Sequence, residues 1–336
     1  MIKTFHVFSA AVVAAGTAAA LTFGLGSFSE AYADNTYTIA GVGKHGSPWF
    51  VRHFKGVAKG AEENGMSAVY AVPQNPTPEE QLKVVQDYVD QGVNALLVVP
   101  NNAESLEGVF EQARAKGIAV VTQESQGQKN ADYDVELLDN TKFGELMIDD
   151  LVKNAAQKKG SYAIFVGSLT VPAHNMWADA AVARQKQAYP DLKFIDKFPV
   201  SEDRNASRQT ALSLIDQYPD LLGIICTGSE GAPGVSMALR EKSLDTSKFV
   251  LIGVTTPNVA RKTLKDGYMT EAVLWDPAEA ARVQAYVAKL VLDGKSDEIK
   301  EGFEVPGFGK PEIRGRDLIF NIPLVITKEN VDKYHF

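Results

Sequence analysis

The chain has a single cysteine, Cys226, in 336 residues. No disulfide can close within it and no cysteine cluster can hold a metal. Cys226 ends the apolar run Gly-Ile-Ile-Cys and reads as a core thiol, and no cysteine lies between residues 20 and 34 to take a lipid. Histidine is scarce as well: five residues, at 6, 45, 53, 174 and 335, with no H-x-x-x-H pair. Zinc spacing is therefore missing. Positive charge is in deficit, with 34 Lys and Arg against 42 Asp and Glu, so no basic surface invites nucleic acid. Beyond residue 28 no apolar run is long enough to span a bilayer.

Several motifs fail at the residue that matters. Gly41-Val42-Gly43-Lys44-His45-Gly46 fits G-x-G-x-x-G. The acid that should close the second strand and hold a ribose hydroxyl is absent, because that place reads Ala71-Val72-Pro73-Gln74. Glu62 and Glu63 lie in the preceding helix instead. The P-loop spacing is not there. Ser229 has Thr227 two residues before it, where a nucleophile elbow needs glycine. Nothing marks a catalytic carboxylate pair. The expectation is a binding protein rather than an enzyme, with no cofactor and no metal.

What is present begins with an export signal. Lys3 precedes an uncharged, alanine-rich run from Val7 to Phe28, and Ala31-Tyr32-Ala33 supplies a small-x-small exit before Asp34. Residues 1–33 are expected to be a cleaved signal peptide, which places the mature chain in the periplasm.

From Tyr37 onward short apolar strands alternate with amphipathic helices. The strands read as Tyr37–Gly41, Ala68–Val72, Ala95–Val99 and Ile118–Val121, with helices between them. After a junction at Glu136–Thr141 the alternation restarts and runs to a helix at Ala278–Leu292. Continuous apolar strands of this kind predict parallel sheets covered on both faces. The fold class expected is α/β, with two doubly wound parallel-sheet lobes joined by a multi-strand hinge. The N-terminal lobe is expected over 34–138 plus about 270–306, and the C-terminal lobe over 139–269 plus about 307–336.

Polar and aromatic residues gather where strands end, which is where open α/β sheets bind ligands. The turn at Gly41–Gly56 offers Lys44 and Ser47, then Trp49 and Phe50 as aromatic faces. Ser47 before Pro48 reads equally well as a helix N-cap. Later strand ends and turns offer Glu124, Ser125, His174, Asn175, Arg204, Ser229, Thr255 and Trp275. Carboxylate, guanidinium and amide groups can bond paired hydroxyls while aromatic rings stack on a sugar's C–H face. These twelve are the candidate ligand-binding residues.

With those segments in view, the mature chain resembles the type I periplasmic sugar-binding proteins of ABC importers, the ribose-binding and autoinducer-2-binding branch. Ser47-Pro48-Trp49-Phe50 resembles the aromatic segment that stacks on the sugar in ribose-binding proteins. Thr256-Pro257-Asn258-Val259, Val305-Pro306-Gly307-Phe308-Gly309-Lys310 and Ile326-Thr327-Lys328-Glu329-Asn330 resemble the autoinducer-2-binding subfamily. The resemblance implies a lysine on the ligand at Lys44. It sets Glu124 in the place of an aspartate, Ala173-His174 in that of an Asp-Gln pair, and Thr227-Gly228-Ser229 in that of Pro-Asp-Ala. Thr255 and Trp275 stand where ribose-type proteins carry aspartate and glutamine. It further implies a small carbohydrate ligand (a pentose, deoxyhexose, sugar alcohol or autoinducer-2), an inner-membrane ABC permease as partner, a chemoreceptor as a second one, and a monomer. An exported carbohydrate-acting enzyme and a chemotaxis or quorum-signal receptor of the same fold are the alternatives.

Overall fold

The computed structural model describes residues 37–336; the expected signal segment, 1–33, lies outside the described residues. The first half runs β1 (Thr38–Val42), α1 (Pro48–Glu63), β2 (Ser67–Ala71), α2 (Pro78–Gln91), β3 (Ala95–Val98), α3 (Ala103–Ala115), β4 (Ala119–Gln123) and β5 (Tyr133–Glu136). Then come α4 (Asn140–Asn154), β6 (Gly160–Val166), α5 (Pro172–Ala188), β7 (Leu192–Pro199), α6 (Arg204–Gln217), β8 (Leu221–Cys226), α7 (Gly231–Glu241), β9 (Val250–Gly253), α8 (Pro257–Lys265) and β10 (Glu271–Leu274). The chain closes with α9 (Pro277–Leu292), β11 (Glu312–Arg314), β12 (Asp317–Ile319) and β13 (Leu324–Ile326).

Two sheets result. The first has the order β11-β12-β5-β4-β3-β1-β2 and the second β13-β10-β9-β8-β6-β7. All neighbours pair in parallel except β11 with β12 and β10 with β13. Strands such as β3 (Ala-Leu-Leu-Val) and β9 (Val-Leu-Ile-Gly) are buried along their whole length. That burial is what a sheet with helices on both faces requires. Local chemistry sets the helix ends. In α2 the Thr77 hydroxyl accepts from Glu80 N, Pro78 occupies the first turn, and Gly92 closes the helix at φ 72°.

The chain passes between the sheets three times: between β5 and α4, between β10 and α9, and between β12 and β13. This corrects the expected division in two places. The strand at 271–274 belongs to the second sheet, where it pairs with β9 and β13; only the helix after it, α9, packs on α1 of the first lobe. Conversely β11 and β12 extend the first sheet beside β5, so residues 312–319 are not part of the C-terminal lobe. The reason is edge pairing: β5 and β10 end the alternating strand-helix runs of their sheets, and each takes a late strand that covers its open hydrogen-bonding edge.

Candidate ligand site

The carboxyl ends of strands from both sheets converge on one small cavity of about 10 Å³, lined by Lys44, Trp49, Phe50, Glu124, His174, Glu202, Thr227, Ser229, Val254 and Trp275. Its groups press so closely that the free space holds about one water. Lys44 and the aromatic pair come from the turn after β1 and the start of α1. Glu124 follows β4, His174 opens α5 after β6, Glu202 follows β7, Thr227 and Ser229 follow β8, and Trp275 follows β10.

The Lys44 turn is braced from beneath by two buried amides. Gln81 Nε2 donates to Gly43 O at 3.2 Å and Val99 O at 2.8 Å, and Gln81 Oε1 accepts from Asn101 N. Asn101 Nδ2 donates to Lys44 O at 3.2 Å. Gly43 is required by close approach: a Cβ there would fall 2.5 Å from the Phe50 ring and 2.6 Å from the Tyr70 hydroxyl. Across the sheet Glu124 stands in the left-handed region, at φ 58°. Such a backbone costs a non-glycine residue about 1–3 kcal/mol and collects at functional sites.

Electrostatics dominates the centre. Lys44 Nζ donates to Glu124 Oε2 at 2.6 Å and lies 3.2 Å from His174 Nε2. Burial pushes the Glu124 carboxyl upward, against the pull of Lys44. Burial, and then Lys44, pull His174 well below its ordinary value, so the ring is neutral. Its Nδ1 accepts from Gly167 N at 3.1 Å, while its Nε2 faces the cavity beside the Lys44 ammonium. From the other lobe Glu202 meets His45 Nε2 at 2.9 Å. Burial opposes the Glu202 charge, but His45, His174 and Lys44 together hold the carboxyl at about 2. Burial also opposes the His45 charge, and Glu202 overcomes it, so His45 is raised. Trp275 meets Trp49 edge-to-face at 4.9 Å, and its indole Nε1–H is buried without a partner. Donors and acceptors for a polar ligand are thus interleaved with aromatic walls.

Seven of the twelve expected residues line this cavity: Lys44, Trp49, Phe50, Glu124, His174, Ser229 and Trp275. The other five lie off it. Ser47 takes the N-cap position of α1 without a side-chain cap bond and borders an open groove of about 510 Å³ at the lobe seam. The Ser125 hydroxyl donates to Gln128 at 2.8 Å. The Asn175 amide donates to Ser168 O and Val171 O, bracing the loop before α5 and that helix's first turn. Arg204 pairs with Glu230 at 2.7 Å on the exposed rim. Thr255 is buried but does not line the cavity. Glu202 is not among the twelve candidates, although its neighbour Arg204 is; its place just past a strand end is the available signal. Asp203 caps α6, accepting from Asn205 N and Ala206 N. Among the described residues no group of three or more His, Cys, Asp or Glu could hold a metal ion.

A periplasmic binding protein domain model matches residues 42–296. The chain is 25% identical over 249 residues to the ribose import binding protein of Bacillus subtilis, covering 74% of this chain and 79% of that one. It is 24% identical over 281 residues to the D-allose-binding periplasmic protein of Escherichia coli, covering 81% and 88%. LsrB from Clostridium saccharobutylicum, solved in complex with AI-2, superposes with a TM-score of 0.81 at 22% identity, covering 89% of this chain and 100% of that one. An ABC transporter solute-binding protein from Clostridium phytofermentas with bound L-rhamnose gives 0.81 at 20% identity, covering 89% and 98%. At these identities the structural likeness carries the fold alone.

Proposed function

The chain belongs to the periplasmic binding protein domain family, and we propose that it is the solute receptor of a carbohydrate ABC importer, enclosing a small polyhydroxylated ligand between its lobes. One observation carries the reading. The carboxyl ends of both sheets bring a lysine, a neutral histidine and two carboxylates against three aromatic side chains in a single buried cavity. The relatives are named for ribose and allose and the structural neighbours carry AI-2 and L-rhamnose, which supports a ligand of pentose to deoxyhexose size. Lobes joined by three crossovers can close by hinge rotation. Entry of a sugar ring requires that rotation, since a free space of about 10 Å³ lies far below the roughly 300–1,000 Å³ of ordinary ligand pockets.

Export to the periplasm through a cleaved segment at 1–33, delivery to an inner-membrane permease, a chemoreceptor contact and a monomeric state belong to the same proposal. Thermal-shift screening against pentoses, hexoses, polyols and AI-2 tests it, because a bound ligand raises stability by RT ln(1 + [L]/Kd). A rise with one of these classes is the expected result. A flat response to every carbohydrate overturns the reading, and turnover of a stabilising sugar redirects it to an enzyme.

A further inference from the structure

The charges in the cavity are arranged as closed pairs. Lys44 is engaged by Glu124 at 2.6 Å and His45 by Glu202 at 2.9 Å, while at the rim Arg204 is engaged by Glu230 at 2.7 Å. Among the described residues no cation lining the cavity lacks a carboxylate partner. Two carboxylates, one from each lobe, flank the His174 Nε2 at 3.8 Å and 3.9 Å. Of the two cavity pairs, only His45–Glu202 draws its members from opposite lobes. The Ser229 hydroxyl, also on the cavity lining, approaches the same Glu202 carboxylate at 3.5 Å.

We propose that Glu202, oriented across the cleft by His45, is a specificity-determining residue that restricts the ligand to neutral polyhydroxylated molecules and turns away their carboxylate forms. The inference rests on the receptor reading above. A neutral sugar offers hydroxyl donors to both carboxylates and oxygen acceptors to Lys44 and the unpartnered Trp275 Nε1–H. An aldonate brings a third negative charge into a buried site whose cations are already paired. Repulsion between like charges at about 4 Å is weakly screened there. Discrimination built from such a repulsive element needs no extra contact to the preferred ligand. Glu124 is the weaker filter because Lys44 neutralises it from within its own lobe. Glu202 takes its 2.9 Å partner, His45, from the opposite lobe.

The test is calorimetric titration of the full chain with D-ribose, D-arabinose and D-xylose and with the matching aldonates. The wild type should bind at least one neutral sugar about 100-fold or more tighter than its aldonate. Glu202→Gln keeps the shape and the hydrogen-bonding reach to His45 but removes the charge, and should shrink that ratio about tenfold or more. His45→Gln tests the positioning role: neutral-sugar affinity should lose the pH dependence expected of the wild type as the pH rises above 6.5 and His45 gives up its proton. The groups facing His45 are Glu202, Glu230 and Lys44. An unchanged ratio in Glu202→Gln overturns the inference. So does a wild type that prefers the aldonate, although the receptor reading then survives. A wild type that binds neither form overturns the inference, and the wider thermal-shift screen then decides the receptor reading.

Discussion

The Lys44 ammonium and the Glu124 carboxylate meet at 2.6 Å with side-chain exposures of 1% and 3%. They arrive from the ends of β1 and β4, two strands separated by β3. Neither charge could be buried alone without a cost of several kcal/mol. The pair therefore ties the two turns together while leaving further lone pairs and protons for a ligand.

Removing one partner should expose that dependence. Lys44→Met leaves Glu124 buried and unpaired, and is expected to cost about 3–5 kcal/mol of stability. The double variant with Glu124→Gln should recover most of the loss. Chemical denaturation of the two single variants and the double gives the coupling, and independent, additive losses would contradict the tie.

The His45–Glu202 pair makes a pH prediction with a definite sign. His45 is raised above 6.5, so its contribution is complete below about that pH and fades as the pH climbs through the folded value. Glu202 is lowered from 4.5 to about 2, so its contribution is complete above 4.5 and fades below it. The difference in melting temperature between wild type and His45→Gln should be largest between pH 4.5 and 6.5. It should shrink as the pH rises beyond 6.5. Taking the difference cancels the other buried acids, such as Asp134, which burial raises to about 7. A difference that grows steadily with pH would contradict the pairing.

Trp275 offers a single atom to test. Trp275→Phe keeps an aromatic edge near Trp49 but deletes the unpartnered indole Nε1–H. Loss of one ligand hydrogen bond corresponds to roughly tenfold in affinity. Titration with the sugar that stabilises the wild type checks it, and undiminished affinity would take the indole N–H out of recognition.

Gly56 reverses an ordinary expectation. In an exposed helix Gly→Ala stabilises by about 1 kcal/mol. Here a Cβ on α1 would fall 2.2 Å from Ala278 O and 2.5 Å from Ala278 Cα, both backbone atoms of α9. Gly56→Ala should destabilise by about 1–3 kcal/mol, read by denaturation midpoints. A gain in stability would mean that α1 and α9 do not pack as described.

Much of this molecule was legible before folding was considered. Runs such as Ala-Leu-Leu-Val and Gly-Ile-Ile-Cys are hydrophobic without alternation, and only a sheet covered on both faces accommodates that pattern. The alternation of such runs with amphipathic stretches is a local signal, so strand positions such as Ala95–Val99 came within a residue or two of β3 at Ala95–Val98. Lys44, Glu124 and Trp275 were visible as chemistry at strand ends because strand ends are where α/β sheets bind ligands.

Tertiary structure alone decided the rest. The allegiance of 271–274 and 312–319 depends on which sheet edge stands open, a property of the assembled sheets and not of those segments. Ser125 and Asn175 turn to neighbouring side-chain and backbone acceptors because short polar side chains at strand ends can satisfy either the loop or the cleft, and sequence alone does not choose. Glu202 became visible only when His45, 157 positions earlier, was brought within 2.9 Å of it. Local periodicity reports what a few neighbouring residues prefer. The pairing of charges across the cleft depends on how two lobes meet, which no local pattern contains.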